Sequence, residues 1–151
     1  MDNAILIDGI ILTSLRIIDN PKGNIFDVIK KNDSGFHGFG EIYISSINYY
    51  QIKGWKKHNE MICNFVVPFG KVKFVVIDQR SNSKTFNIIN IFELSTDNYV
   101  RLTLPSGVWF SFQGLNEEFN QIVNFSNIIH SPEENETKDL NEFETKFSWE
   151  I

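Results

Sequence analysis

Apolar residues in this chain recur at every second position, in short runs broken by turn-forming clusters about 8 to 12 residues apart. That rhythm restricts the chain to a β-sandwich or barrel. The runs "KVKFVVID", "FNIINIFEL", "YVRLTLP", "VWFSF" and "QIVNF" are rich in Val, Ile, Phe and Thr, the side chains that pack on a pleated surface. Between them stand "DNPKGN", "NDSG", "VPFG", "QRSNS", "STDN", "PSG" and "GLNEE", which carry the Gly, Pro, Asn, Asp and Ser of tight turns. "EIYISSI" also alternates, with Ile42, Ile44 and, after a slip at the serine pair, Ile47 as its apolar face. "GNIFDVIKK" suits either two helical turns or a strand, and no segment holds a helical period over ten residues or more. The expectation is a single all-β domain over 1–151 with little helix. Its polar, acidic tail from His130 wraps the surface and anchors through Phe147 and Trp149.

Charge and composition narrow the partners. The net charge of −5 gives no basic footprint for nucleic acid. The N-terminal "MDNAILIDGIILTSL" carries Asp2 and Asp8 and lacks the basic start of a signal peptide. No apolar run approaches the roughly 20 residues of a spanning helix, so no membrane is expected. One cysteine, Cys63, excludes an internal disulfide and fits a reducing, cytoplasmic setting. It lies in an apolar run and reads as a small buried side chain.

The stretch "IKGWKKHNEMICNFVVPFGKV" holds the chemistry: Lys53, Lys56 and Lys57, then His58 and Glu60, then an apolar run broken by Pro68 and Gly70. Its skeleton of Gly54, His58, Glu60 and Gly70, followed by Pro105 and Gly107, resembles the cupin pattern and implies a double-stranded β-helix, a jelly roll. Lys56 and Phe110 stand where that pattern has its first and third histidines. A metal ion needs about three convergent ligands, and only His58 and Glu60 are offered. No metal and no cofactor are expected, and a metal-dependent cupin enzyme is the weakest of the readings.

Within the cupins, the segments "DNPKGNIFDVIK", "IKGWKKH", "VPFGKVKFVVIDQRSNSKTF", "LTLPSGVWFSFQGL" and "HSPEENE…KFSWEI", in this order, resemble a short, divergent branch of the dTDP-4-dehydrorhamnose 3,5-epimerase family. The resemblance implies proton removal beside the ketone of a nucleotide-linked 4-keto-6-deoxy sugar, in polysaccharide or deoxysugar synthesis. A histidine paired with an Asp serves as base, cations stabilise the enolate, and a tyrosine returns the proton on the other face. Carried over by residue, the base falls on Lys56, its flanking Arg on Lys53, the acid Tyr near Asn124, and the Asp partner near Glu142. The Arg of the N-terminal segment falls on Lys22, and the Asp and Arg after the hairpin match Asp78 and Arg80.

Residues two apart on a strand share a face, so His58 is expected to point into the same cavity as Lys56, with Lys57 outside. The inward ammonium is expected to lower the pKa of His58. The expected catalytic set is His58, Lys56 and Asn124. Lys22, Lys53, Asn64, Arg80 and Trp109 are expected to bind the substrate, and Tyr43, Tyr49 and Tyr50 are replacement acids or stacking surfaces. The resemblance further implies a homodimer, with "AILIDGIILTSL" as a segment needing cover. The rival reading is a non-catalytic module that holds a sugar nucleotide or a partner in the same fold.

Overall fold

The computed structural model describes residues 5–149, so Ala4 of the N-terminal apolar segment lies outside the described residues. In chain order the strands are β1 (Ile11–Ser14), β2 (Ile17–Ile18), β3 (Ile25–Phe26), β4 (Glu41–Ile47), β5 (Ile52–His58) and β6 (Cys63–Phe69). They continue with β7 (Lys71–Ile77), β8 (Ile89–Ser95), β9 (Val100–Leu104), β10 (Trp109–Gly114), β11 (Asn120–Ser126) and β12 (Asn135–Thr137). Helix is confined to two 3₁₀ turns, Pro132–Glu134 and Leu140–Phe143. The ambiguous "GNIFDVIKK" contributes the short β3, paired antiparallel with β2.

Two five-stranded sheets, ordered β1-β9-β6-β11-β4 and β12-β5-β10-β7-β8, pack face to face with antiparallel neighbours throughout, a cupin jelly roll. Their facing sides interdigitate through Phe65, Phe74 and Phe110, with the Phe65 ring 5.2 Å from Phe74 and 5.5 Å from Phe110. Ile7 and Ile10 of the N-terminal segment join this core, whereas Ile5, Leu6 and Leu12 stay exposed.

A second apolar cluster covers the outer face of the β5-β10-β7 sheet. Trp55, Val75, Ile77 and Trp109 lie under Phe143 and Trp149 of the tail, and β12 pairs with β5 at its edge. The Trp55 indole N–H donates to the Leu140 carbonyl at 3.1 Å, which fixes the tail over the cluster.

The alternation of β4 runs opposite to the expected sense. Ile42 and Ile44 are 53% and 63% exposed, and Tyr43, Ser45 and Ile47 share the inner face without a slip. At Tyr43 and Ser45 the inner face of β4 borders a cavity rather than packed core, so polar groups are tolerated there, while Ile47 beyond them joins the apolar core.

At the opposite end of the sandwich Asn120, fully buried, stitches three segments together. Its Oδ1 accepts from the backbone N–H of Lys71 at 2.9 Å and of Asn116 at 3.0 Å. Its Nδ2 donates to the carbonyls of Ile47 at 3.0 Å and Asn116 at 3.1 Å. Gly70 (φ +79°) and Gly114 flank it so closely that a Cβ at Gly114 would lie 2.6 Å from Nδ2, and one at Gly70 would strike Oδ1. Asn120→Ala removes four hydrogen bonds to partly buried backbone groups, each worth about 0.5–1 kcal/mol. Urea unfolding should therefore show a loss of roughly 2–4 kcal/mol for this variant.

Candidate active site

A cavity of about 210 Å³ opens between the two sheets, lined by Tyr43, Ser45, Lys53, Gly54, Lys56, Phe65, Phe110, Phe112, Ile122 and Asn124. The two lysines share it because of a β-bulge. Phe110 pairs with Lys56 and Phe112 with Lys53, so two steps along β10 span three along β5. The extra residue falls at Gly54–Trp55. Without it, strict alternation would send Lys53 and Lys56 to opposite faces. Trp55 turns outward under the tail, and Lys57 follows it, with its ammonium 2.7 Å from Glu136 and over the Trp109 ring.

The two lysines differ in surroundings. Lys53 is exposed at the mouth, where its Nζ donates to the Ser46 carbonyl at 2.9 Å and lies 5.9 Å from the Phe112 ring centroid. Lys56 is half-buried, and among the described residues no carboxylate or hydrogen-bond acceptor pairs with its ammonium. No carboxylate lines the cavity. An ammonium partly withdrawn from water without a counter-ion favours an anionic or electron-rich ligand.

His58 lies beside Lys56 on the same face of β5, behind the Phe110 ring, against which it stacks at 5.9 Å and 22°. Only 4% of it is exposed. Its Nδ1 is 2.5 Å from Oε1 of Glu134, and Oε2 of Glu134 accepts the backbone N–H groups of Glu60 at 2.8 Å and Met61 at 2.9 Å. Burial alone raises the Glu134 pKa, but these hydrogen bonds and that from His58 outweigh it and hold the carboxyl below its ordinary value. An ionised Glu134 has only acceptors, so Nδ1 carries the proton and Nε2 keeps a free lone pair. The His58 pKa is lowered, first by burial and then by Lys56 and His130, against the raising pull of Glu134. The expected ammonium effect is present, but desolvation is the larger cause.

Across the cavity, on the other sheet, the Tyr43 hydroxyl accepts the Asn124 Nδ2–H at 2.8 Å. Burial keeps the phenol pKa above its ordinary value, so Tyr43 stays protonated. Asn124 is 2% exposed, and its Oδ1 has no partner.

Of the residues singled out from sequence, the fold brings Lys53, Lys56 and Asn124 into the cavity lining, with His58 behind it. Four others of the expected catalytic and substrate-binding sets lie elsewhere. Trp109 faces the outer cluster, because Phe110 and Phe112 take the inner face of β10. Asn64 is on the outer side of β6, donating to the Gly35 carbonyl at 2.9 Å and accepting from Thr103, while Phe65 takes the inner face. Arg80 is bound to buried Asp78 through Nε at 2.8 Å and Nη2 at 2.9 Å, and to the Asp8 carbonyl. Burial raises the Asp78 pKa, yet bonds from Arg80, Ser83 and Thr85 hold it well below the carboxylate range, as expected for a structural clamp. Lys22 stands on the exposed β2–β3 turn, where its backbone N–H donates to Oδ1 of Asn20 at 2.9 Å.

Glu142 pairs with exposed Lys138 at 3.2 Å, and the carboxylate on the histidine is Glu134. The signal available in sequence was "SPEE", a Pro-led turn ending in acids. A larger depression of about 350 Å³ near Thr13 and Lys30 lies in the N-terminal strands and holds none of the expected residues. Its Asp27 already pairs with Arg16 and Lys30.

Among the described residues no three His, Cys, Asp or Glu side chains converge to hold a metal ion, and no helix is long and apolar enough to cross a membrane.

Comparison with known proteins agrees with this architecture. The family model described as dTDP-4-dehydrorhamnose 3,5-epimerase matches residues 7–151. The crystal structure of a dTDP sugar isomerase from Desulfovibrio desulfuricans G20 superposes with a TM-score of 0.91 at 32% identity, covering 97% of this chain and 95% of that one. The spore coat polysaccharide biosynthesis protein SpsL of Bacillus subtilis is 23% identical over 133 residues, 88% of each chain. A 3′-monoepimerase from Streptomyces bikiniensis, solved with dTDP-quinovose, shares the fold at 15% identity and a TM-score of 0.85, covering 97% of this chain and 77% of that one.

The lowered His58 pKa sets a pH dependence. Between that value and the ordinary 6.5, the unfolded chain binds a proton that the folded chain does not. This part of the stability is complete above pH 6.5 and is lost as pH falls through the folded value. Urea midpoints measured from pH 8 down to 5 should fall below pH 6.5, and His58→Gln should flatten that decline.

Proposed function

This chain belongs to the dTDP-4-dehydrorhamnose 3,5-epimerase family, and on that premise we propose that it is a sugar-nucleotide epimerase acting beside the ketone of a nucleotide-linked 4-keto sugar. The cavity's charge carries this reading: an unpaired Lys56 ammonium in a largely apolar chamber, adjoining a neutral histidine held by an ionised glutamate. Inverting a carbon next to a carbonyl needs a base on one face, an acid on the other and positive charge at the developing oxyanion. Lys56 comes from β5 of one sheet, Tyr43 and Asn124 from β4 and β11 of the other, so a sugar ring between the sheets meets both, with His58 on the Lys56 side behind the Phe110 ring.

In this mechanism Nε2 of His58 takes the proton, with Glu134 holding the ring and stabilising its charged form. Lys56 stabilises the negative charge on the carbonyl oxygen. Tyr43, oriented by Asn124, returns a proton on the opposite face. The cavity of about 210 Å³ is below the ~300–1,000 Å³ of a pocket for a whole drug-sized ligand, so the sugar enters and the nucleotide lies outside, its diphosphate near Lys53 at the mouth. Similarity to a polysaccharide biosynthesis protein supports a role in glycan assembly, in the cytoplasm where nucleotide sugars are made. Exposed Ile5, Leu6, Leu12, Ile25 and Phe26 along the N-terminal strands support a homodimer that covers them.

The test is deuterium uptake from D₂O into a panel of nucleotide-linked 4-keto sugars, dTDP-4-dehydrorhamnose included. His58→Asn should bind the sugar nucleotide and lose uptake by about 10²–10⁴-fold. Tyr43→Phe should still exchange the proton, through His58 alone, yet fail to invert the carbon. Tight binding without uptake by the wild type would instead establish the non-catalytic module. Light scattering at micromolar concentration should return twice the 17.5 kDa chain mass.

A further inference from the structure

Lys56 occupies the position at which the family resemblance calls for the base, and a cation is not the most that a lysine offers a ketone. We infer that Lys56 acts covalently, by forming an iminium with the carbonyl carbon of the bound keto sugar. This rests on the epimerase reading and changes its intermediate from an enolate to an enamine.

Three features single out this amine. Lys56 has no acceptor or carboxylate among the described residues, so nothing holds its Nζ away from a ligand, whereas Lys53 is tied to the Ser46 carbonyl at 2.9 Å. Its chamber walls are Phe65, Phe110, Phe112 and Ile122, and a second cation, Lys53, lines the same chamber. Apolar walls and a neighbouring cation are the surroundings in which enzymes use a lysine amine as a nucleophile toward carbonyls. Finally, the cavity between the sheets confines the ketone near the amine, and His58 follows two residues along the same face of β5.

The chemistry balances without a further reactant. Ammonium and ketone give iminium and one water: the C–N bond forms, the C–O bond breaks, and the positive charge is conserved. His58 then removes the adjacent C–H proton: the C–H electron pair becomes a C=C bond and the C=N π pair moves onto nitrogen, which gives a neutral enamine. Protonation of the carbon by Tyr43 restores the iminium with inverted configuration, water releases the ketone and the Lys56 ammonium, and the proton held by His58 returns to Tyr43 through solvent. A cation stays where the oxyanion would have needed one, and an iminium is the stronger electron sink.

The test uses the full-length protein with dTDP-4-dehydrorhamnose and sodium cyanoborohydride, read by intact mass and peptide mapping, beside the D₂O exchange assay with the same sugar nucleotide. The expected result is an adduct heavier than the protein by the sugar nucleotide less one oxygen atom, mapped to Lys56 and not to Lys53. Lys56→Arg, which keeps the charge and cannot form an iminium, should give no adduct and lose exchange on the order of 100-fold or more. Exchange by the wild type without an adduct, an adduct on Lys53 alone, or near-full exchange by a folded Lys56→Arg each overturns the inference and leaves the epimerase reading standing. Absence of both exchange and adduct overturns both.

Discussion

The carboxylate of Glu134 is the interaction on which the site depends. It comes from the tail, yet its two oxygens bind the β5–β6 turn through the N–H groups of Glu60 and Met61 and bind His58 through Nδ1. Charge-assisted bonds of this kind are about twice as strong as neutral ones, and here they lie out of water, where they gain further. One side chain therefore closes the turn after β5, selects the tautomer of the histidine and brings β12 into register against β5, with Asn135 opposite His58. Removing it would leave two backbone donors and an imidazole buried without their acceptor, so the local fold and the chemistry cannot be separated at this residue.

The cavity is the second constraint, and it conflicts with the sandwich that contains it. A sandwich core is stabilised by apolar side chains meeting at its centre, as Phe65, Phe74 and Phe110 do. Just beside them stand Lys56, Asn124 and the Tyr43 hydroxyl, groups that are costly in an apolar interior. The conflict is eased by segregation. Asn120 and the apolar layer occupy one region between the sheets, and the polar groups gather where the chamber opens to solvent. The unpartnered Oδ1 of Asn124 is the residue of that conflict, a buried acceptor at the wall of a ligand chamber.

The period-two pattern was enough to read the strands and a sandwich or barrel, because each face is sorted by burial and alternation reports burial directly, and the cupin resemblance added the jelly roll. The same rule misled wherever burial and polarity parted. In β4 the inner face is Tyr43, Ser45 and Ile47, so of the three isoleucines taken as its core side only Ile47 is buried, and Ile42 and Ile44 point outward. Trp109 was read as a ligand platform, but a second buried layer under the tail makes the outer face of β10 apolar too, and alternation cannot tell which of two apolar faces meets the cavity. The resemblance gave both Lys53 and Lys56 a role at the substrate, and both line the cavity, although strict parity would separate them. Only a bulge at Gly54–Trp55, invisible to a period count, reconciles them. The resemblance put the base's acidic partner near Glu142, whereas the carboxylate on His58 is that of Glu134. Both lie in an acidic tail without periodicity, and only the pairing of β12 with β5 decides between them.

The outer aromatic cluster has an optical consequence. The chain contains three tryptophans, and Trp55, Trp109 and Trp149 all belong to this single patch beneath the tail. The inter-sheet core holds none of them, so intrinsic emission from the protein reports the patch alone. Since Glu134 belongs to the same tail, quenching or a red shift would register undocking of the segment that carries the histidine's partner. Tryptophan emission would then report how the tail docks on β5 and β10, whereas calorimetry reports the unfolding of the whole domain.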